Sequence, residues 1–325
     1  MTAKLIDWFQ RHRRELPFRG CGDPYFILVS EMMAQQTRME TLVPYFERFI
    51  ARFPTVQALA AADEAEVLAL WAGLGYYSRA RSLHKAAKLC GGAVRDTYEG
   101  LRALPGVGDY TAGAVASIAY GLPCPAVDGN VRRVCARLLA ADSGDVSAWI
   151  LGLMAEAPPR LVTEALMELG ALVCVPSSPK CGDCPVSGDC RAFLEGRVTE
   201  FPAKRLKPAK RAEDRAVCIV RDGEGRVLLR RRAERLLHHM WEFPSEAQLL
   251  ADGFAVERDP SPLGTAKHVF THIIWHMTAY RARIAYQELP DNYQFLADLN
   301  QIALPSAMKA WKNLIIAEDA VIMGT

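Results

Sequence analysis

The chain has 325 residues, which suits about two domains. Half of it is apolar, yet no run is long or uninterrupted enough to span a membrane. A net charge of +2 does not announce nucleic acid by composition, so any DNA-binding surface must come from local clustering of charge. No apolar leader follows Met1, which predicts a cytoplasmic, reducing setting that disfavours disulfides.

Residues 1 to about 192 read as helical. LIDWFQRH, PYFILVSEMMAQQT, METLVPYFERFIARF, DEAEVLALWAGL and SRARSLHKAAKLC carry apolar residues at three- and four-residue spacing, separated by short Gly, Pro and Asp breaks. LRALPGVGDYTAGAVASIAYG sets Leu104-Pro105-Gly106-Val107-Gly108 between two helical segments. The glycines permit a tight turn and close approach, and amides of a helix starting near Asp109 are suited to a phosphate. An ordinary turn between helices is the plainer reading. Asp128, in PAVDGNVRRVCARLL, precedes an amphipathic helix and is a natural N-cap. Amides at that helix start also keep a carboxylate ionised, and an ionised carboxylate beside a sugar can stabilise an oxocarbenium ion. Glu31 lies among Phe26, Ile27, Leu28, Val29, Met32 and Met33. Burial there raises a carboxyl toward the range of a general acid, while a narrow solvated stripe is the alternative.

Cys174, Cys181, Cys184 and Cys190 follow as C-x6-C-x2-C-x5-C. Four thiolates so close can surround one metal centre, either zinc or a [4Fe–4S] cluster, and the spacing is not that of two C-x2-C zinc knuckles. The other five cysteines, Cys21, Cys90, Cys124, Cys135 and Cys218, read as buried apolar residues. FPAKRLKPAKR, residues 201–211, has five cations, two prolines and no acid, and reads as linker. Beyond it, RAVCIVRDGEGRVLLRRR reads as strand, Asp-Gly turn, strand. HVFTHIIWHMTAYRARI is a further β-rich run, and SAMKAWKNLII a shorter helix. The second domain is expected to be α+β.

The order of hairpin, aspartate and cysteine loop resembles the endonuclease III superfamily of DNA glycosylases. VSEMMAQQT followed by METLVPYFERF resembles the catalytic helix of the MutY adenine glycosylase family. The resemblance implies a multidomain fold: an all-α helix-hairpin-helix glycosylase domain over 1–192, a basic linker over 193–213, and an α+β Nudix-like domain over 214–325. It implies a [4Fe–4S] cluster on the four cysteines, with Lys180 and Arg191 near phosphate. Glu31 is implied as general acid and then base, and Asp128 as its partner. Tyr110 stands where bifunctional endonuclease III carries a nucleophilic lysine, and Gly129-Asn130 replaces its threonine and histidine. Gln36 and Thr37 fall where the opposite base is probed, and Tyr76 where an aromatic is wedged into the stack. Arg14, Arg19 and Glu164 match positions around the adenine pocket. Phe18 and Ala34 depart from the family, which commonly has tryptophan and a larger aliphatic residue there. Phe270-Thr271-His272 falls on the Phe-Ser-His loop that recognises 8-oxoguanine.

The function implied is monofunctional removal of adenine mispaired with 8-oxoguanine or guanine in double-stranded DNA, by a monomer at the nucleoid. A strand-cleaving endonuclease III-like enzyme is opposed by Tyr110. A non-catalytic iron–sulfur DNA-binding protein is opposed by the joint presence of Glu31 and Asp128. A nucleotide hydrolase is opposed by the missing G-x5-E-x7-R-E-x2-E-E box, because SEAQLLADGFAVERD follows Pro244 instead.

Overall fold

The computed structural model describes residues 1–142, 145–203, 209–299, 302 and 304–323. The chain divides into two compact units, Met1–Leu206 and Lys207–Thr325.

The first unit is helical throughout its described length. The segment expected to hold Glu31 forms a helix over Pro24–Ala34. Proline stands in its first turn, and the Asp23 carboxylate accepts the Tyr25 N–H at 2.8 Å. This helix is apolar on nearly every side because it is buried on nearly every side: Ile27, Leu28, Val29, Met32 and Met33 are all buried. It packs against helices Asp109–Tyr120, Met39–Arg52 and Tyr77–Cys90. Gly129–Leu139 and Pro159–Leu172 pack together, and Thr2–His12 crosses the latter. Their shared core includes Phe9, Val134, Leu166 and Leu169 and reaches Val186 and Cys190 of the cysteine loop.

Two glycines allow these helices to meet. A Cβ on Gly113 would lie 2.3 Å from the Pro125 carbonyl oxygen, and one on Gly170 would lie 2.8 Å from Asn130 Cβ. Neither distance is physically tolerable, so both helices rely on glycine to approach the segment that carries Asp128.

The second unit has strands β1 (Arg211–Ile219), β2 (Val227–Arg231), β3 (Trp241–Glu242), β4 (Ala255–Val269), β5 (Ile273–Ala285) and β6 (Tyr293–Leu296). One sheet has the order β1-β5-β4, with β1 parallel to β5 from Arg211↔Ile273 to Ile219↔Arg281 and β4 antiparallel to β5. The other has the order β3-β2-β6, antiparallel throughout. Val217, Ile219, Val227, Leu229, Trp275 and Met277 form the main core with Trp311 and Ile315 of a C-terminal helix.

Some local details differ from the expectations above. β1 and β2 flank a turn as expected, closed by the Asp222 N–H to the Arg226 carbonyl at 3.0 Å; beside it Arg221 bridges Val227 and the Leu228 N–H reaches the Val220 carbonyl at 3.0 Å, while the two strands enter different sheets. Both ends of the stretch expected as linker, 193–213, are structured. Phe201 is buried in the first unit with its carbonyl held by Arg137, while Arg211 already pairs in β1. Residues 204–208 lie outside the described ones. The terminal helix runs over Lys309–Met323, longer than expected. Cys90, Cys135 and Cys218 are buried, but Cys124 is only partly so and Cys21 is exposed. Cys21 sits between Gly20 and Gly22, both at positive φ, in irregular backbone ahead of the Glu31 helix.

Candidate active site

Glu31 lies in the last two turns of its helix, beneath the hairpin helix. The Tyr110 hydroxyl donates to Glu31 Oε2 at 2.6 Å. The residue keeps some exposed surface, but protein encloses its carboxyl. Burial pushes that carboxyl up to about 7; the Tyr110 hydrogen bond opposes this, the nearby charges of Asp128 and Glu164 add to it, and Arg19 opposes it. Burial and the same carboxylate drive the Tyr110 phenol well above its ordinary range, so it stays a donor. A carboxyl near neutrality with a fixed donor at one oxygen suits proton transfer near pH 7.

Asp128 caps the helix Gly129–Leu139. Its Oδ1 accepts the Val131 N–H at 2.6 Å, and its Oδ2 accepts the Asn130 amide at 3.1 Å. Both oxygens therefore have fixed donors. Arg133 in turn donates to Asn130 Oδ1 at 2.9 Å, to the Gly170 carbonyl at 2.7 Å and to the Cys174 carbonyl at 2.7 Å. One turn on, Arg137 donates to Cys174 Sγ at 3.4 Å and to the carbonyls of Val175 and Pro176. A single helix thus carries Asp128 at its start and braces the cysteine loop at its end.

Arg14 and Arg19 meet acids from the helix Pro159–Leu172. Arg14 grips Glu168 with two side-chain bonds of 2.9 Å and its own backbone N–H at 2.8 Å. Arg19 bridges Glu168 at 3.0 Å and Glu164 at 3.5 Å. Burial works to raise Glu168, but the bonds from Arg14 and Arg19 prevail and hold it down near 2. Glu168 was not singled out from sequence. The signal was present in LVTEALMELG, where two glutamates four apart interrupt an otherwise apolar helix face. Arg133 and Arg137 carried the same signal in VRRVCARLL.

In the hairpin, Gly106 is held at φ +76°, and a Cβ there would meet Ser82 Cβ at 2.5 Å. Gly108 precedes the helix Asp109–Tyr120 and faces open space. Gln36 and Tyr76 sit in left-handed backbone at φ +60° and +48°, and Thr37 lies beside Gln36. Tyr76 is 49% exposed, whereas Tyr77 is buried in the core. Phe18 packs edge-on against Phe46 at 5.2 Å, and Ala34 ends the Glu31 helix partly buried.

Phe270, Thr271 and His272 form the tip of the β4–β5 hairpin, closed by the Phe270 N–H to the Ile273 carbonyl at 2.8 Å. They are turn residues, not strand residues. Phe270 leans edge-on against Trp275 at 4.7 Å, leaving Thr271 and His272 exposed at the tip.

Cys174, Cys181, Cys184 and Cys190 line one cavity with Val134, Leu138, Leu169, Val173 and Val186. Burial pushes the Cys184 thiol up to about 11, with its cysteine neighbours adding to the effect. Such thiols need a cationic centre to ionise. Four cysteines around one apolar cavity are a donor set that would hold a [4Fe–4S] cluster.

Residues 29–148 match the HhH-GPD superfamily of base excision DNA repair proteins, 174–190 the iron–sulfur binding domain of endonuclease III, and 216–313 the NUDIX domain. An adenine DNA glycosylase of Mycolicibacterium smegmatis is 43% identical over 216 residues, covering 63% of this chain and 73% of that protein. One from Arabidopsis thaliana is 36% identical over 292 residues, 74% of this chain, which spans 46% of that protein's length. Among solved structures, a thermostable thymine-DNA glycosylase superposes with a TM-score of 0.54 at 25% identity, over 60% of this chain and 95% of that one. No helix among the described residues is long and apolar enough to cross a membrane. The 43% identity to the Mycolicibacterium smegmatis adenine DNA glycosylase, together with the helix-hairpin-helix, iron–sulfur and Nudix matches, places this chain in the adenine DNA glycosylase family of base excision repair.

Proposed function

We propose that the chain hydrolyses the N-glycosidic bond of adenine mispaired with 8-oxoguanine or guanine in duplex DNA, and leaves the strand intact. The observation that carries this reading is the enclosed Glu31 carboxyl bonded at 2.6 Å to Tyr110, at the position where the family resemblance puts the lysine of a strand-cleaving enzyme. Near neutral pH a substantial share of Glu31 is protonated. Its proton passes to the adenine ring as the C1′–N bond breaks, so the bonding pair leaves with a neutral base and the sugar becomes an oxocarbenium ion. Asp128, held by the Val131 amide and Asn130, offers that ion a fixed negative charge. The Glu31 carboxylate then takes a proton from the water that attacks C1′, which restores the acid. Tyr110 has no amine for a Schiff base, so no β-elimination follows.

The remaining candidates divide the recognition. Gly108, facing open space, admits a phosphate to the start of the hairpin helix. Tyr76 fills the gap left by the extruded adenine, and Gln36 and Thr37 probe the opposite base. Arg19, with Glu164 and Glu168, frames the adenine pocket. The cluster orders its loop, which offers the exposed Lys180 and Arg191 to the backbone. Thr271 and His272 read the 8-oxoguanine. The protein acts as a monomer on chromosomal DNA. The deciding experiment incubates cluster-loaded protein with a duplex bearing A opposite 8-oxoguanine. Adenine release with strand breaks only after alkali is expected. Breaks without alkali, trapped by borohydride, would assign the endonuclease III chemistry instead, and no adenine release would end the reading.

A further inference from the structure

Arg79 is 7% exposed, and the partners its guanidinium meets among the described residues are backbone carbonyls and one hydroxyl. Burial lowers its guanidinium only to about 10, so it remains a cation at neutral pH. Its charge is met by carbonyl oxygens. Nη1 donates to the carbonyls of Met32 at 3.3 Å and Met33 at 2.8 Å, to that of Gln35, and to the Thr37 hydroxyl at 3.3 Å. Nη2 donates to the carbonyls of Leu74 at 3.3 Å and Gly75 at 3.2 Å. One side of the fork therefore holds the end of the Glu31 helix and the turn after it. The other side holds the loop before Tyr76, and the guanidinium lies 5.3 Å from the Tyr76 ring.

Two of the gripped oxygens have a special place. The Gln35 and Gly75 carbonyls immediately precede Gln36 and Tyr76, both in left-handed backbone. Residues with side chains hold that conformation only where their surroundings impose it. Trp71 Nε1 adds a bond to the Gly75 carbonyl at 3.1 Å, and Arg79 reaches both turns. A carbonyl-rich helix end suits a cation. Spanning two loops needs donors at opposite edges of one rigid plane, which guanidinium has and ammonium lacks.

We infer that Arg79 is a positioning residue that locks the Gln35–Thr37 turn and the Leu74–Tyr76 loop at one fixed spacing, with the Glu31 helix as their shared base. It sets how Tyr76 enters the stack as the adenine leaves. The inference rests on the proposed wedge role of Tyr76. Arg79 touches no reacting atom, so its loss should impair extrusion of the base and leave the proton chemistry of Glu31 unchanged.

The test uses full-length, cluster-loaded protein in four forms: wild type, Arg79→Lys, Arg79→Met and Tyr76→Ala. Two quantities are read on a duplex with 2-aminopurine beside the target adenine opposite 8-oxoguanine. One is the fluorescence rise as the base leaves the stack, and the other is the single-turnover excision rate against pH. Arg79→Lys keeps the stem and the charge and carries the test if Arg79→Met does not fold. Tyr76→Ala should lose most of the fluorescence rise. Both Arg79 variants should follow it, with excision slowed by about 10–100-fold and the alkaline limb of the pH profile unmoved. Arg79→Lys matching wild type in both quantities would overturn the inference, since charge without the fork would then suffice. Slowed excision with a normal fluorescence rise would overturn it as well. If Tyr76→Ala itself extrudes the base normally, the wedge reading fails and the inference with it. If Tyr76→Ala fails to extrude while the Arg79 variants succeed, only the inference falls.

Discussion

Replacing Glu31 with Gln should stabilise the protein while removing its activity, and the stabilisation should depend on pH. Burial holds the Glu31 carboxyl at about 7, against about 4.5 for an unhindered glutamate. Below the unfolded value both states are protonated and the group contributes nothing. As pH rises from about 4.5 to about 7 the unfolded chain loses this proton while the folded one keeps it, so stability falls across that window. Above about 7 the full penalty is present, about 3 kcal/mol at roughly 1.4 kcal/mol per tenfold change in proton affinity. The glutamine of the variant has no proton to lose, and its side-chain carbonyl still accepts the Tyr110 hydroxyl. The gain of Glu31→Gln over wild type should therefore be near zero at pH 4.5 and approach that value by pH 8. Urea unfolding of the cluster-loaded proteins, followed by circular dichroism across this range, measures it. In parallel, single-turnover excision should fall by about 10²–10⁴-fold while binding of the mispaired duplex persists. A stability difference that does not change with pH would refute the elevated carboxyl. Near-normal excision by the variant would remove Glu31 from the chemistry.

Tyr110→Phe removes the 2.6 Å bond that favours the ionised form of Glu31, so the alkaline limb of the wild-type pH–rate profile should move to higher pH; an unmoved limb would separate Tyr110 from the acid. Gly113→Ala places a Cβ 2.3 Å from the Pro125 carbonyl oxygen, and should displace the Asp128 segment. The expected cost is 1–3 kcal/mol, roughly that of overpacking a core, with excision slowed more than binding, and a variant with wild-type unfolding and rate would contradict the packing account. Thr271→Ala with His272→Ala should weaken excision opposite 8-oxoguanine more than opposite guanine, because Phe270 on Trp275 keeps the hairpin tip in place; equal losses on the two duplexes would make the tip a general contact.

Local chemistry wrote much of this protein into its sequence. The apolar spacing of PYFILVSEMMA specifies a helix that must be buried nearly all round, and such burial is what makes Glu31 unusual. Asp128 ahead of an amphipathic run specifies an N-cap, and four cysteines within 17 residues specify a shared centre, because both depend on neighbours close along the chain. Turn chemistry located the β1–β2 turn equally well. It did not assign those strands to separate sheets, since β1 pairs with β5 some sixty residues later and a turn carries no information about so distant a partner. Long-range contact also decided the site. The Tyr110 donor reaches Glu31 across 79 residues, and Arg14 reaches Glu168 across 154. Glu164 and Glu168 share a helix and a residue type, so nothing local says which acid meets which arginine. That choice, like the fork of Arg79 between two loops, follows from the distance at which packed helices settle, and only the tertiary structure fixes it.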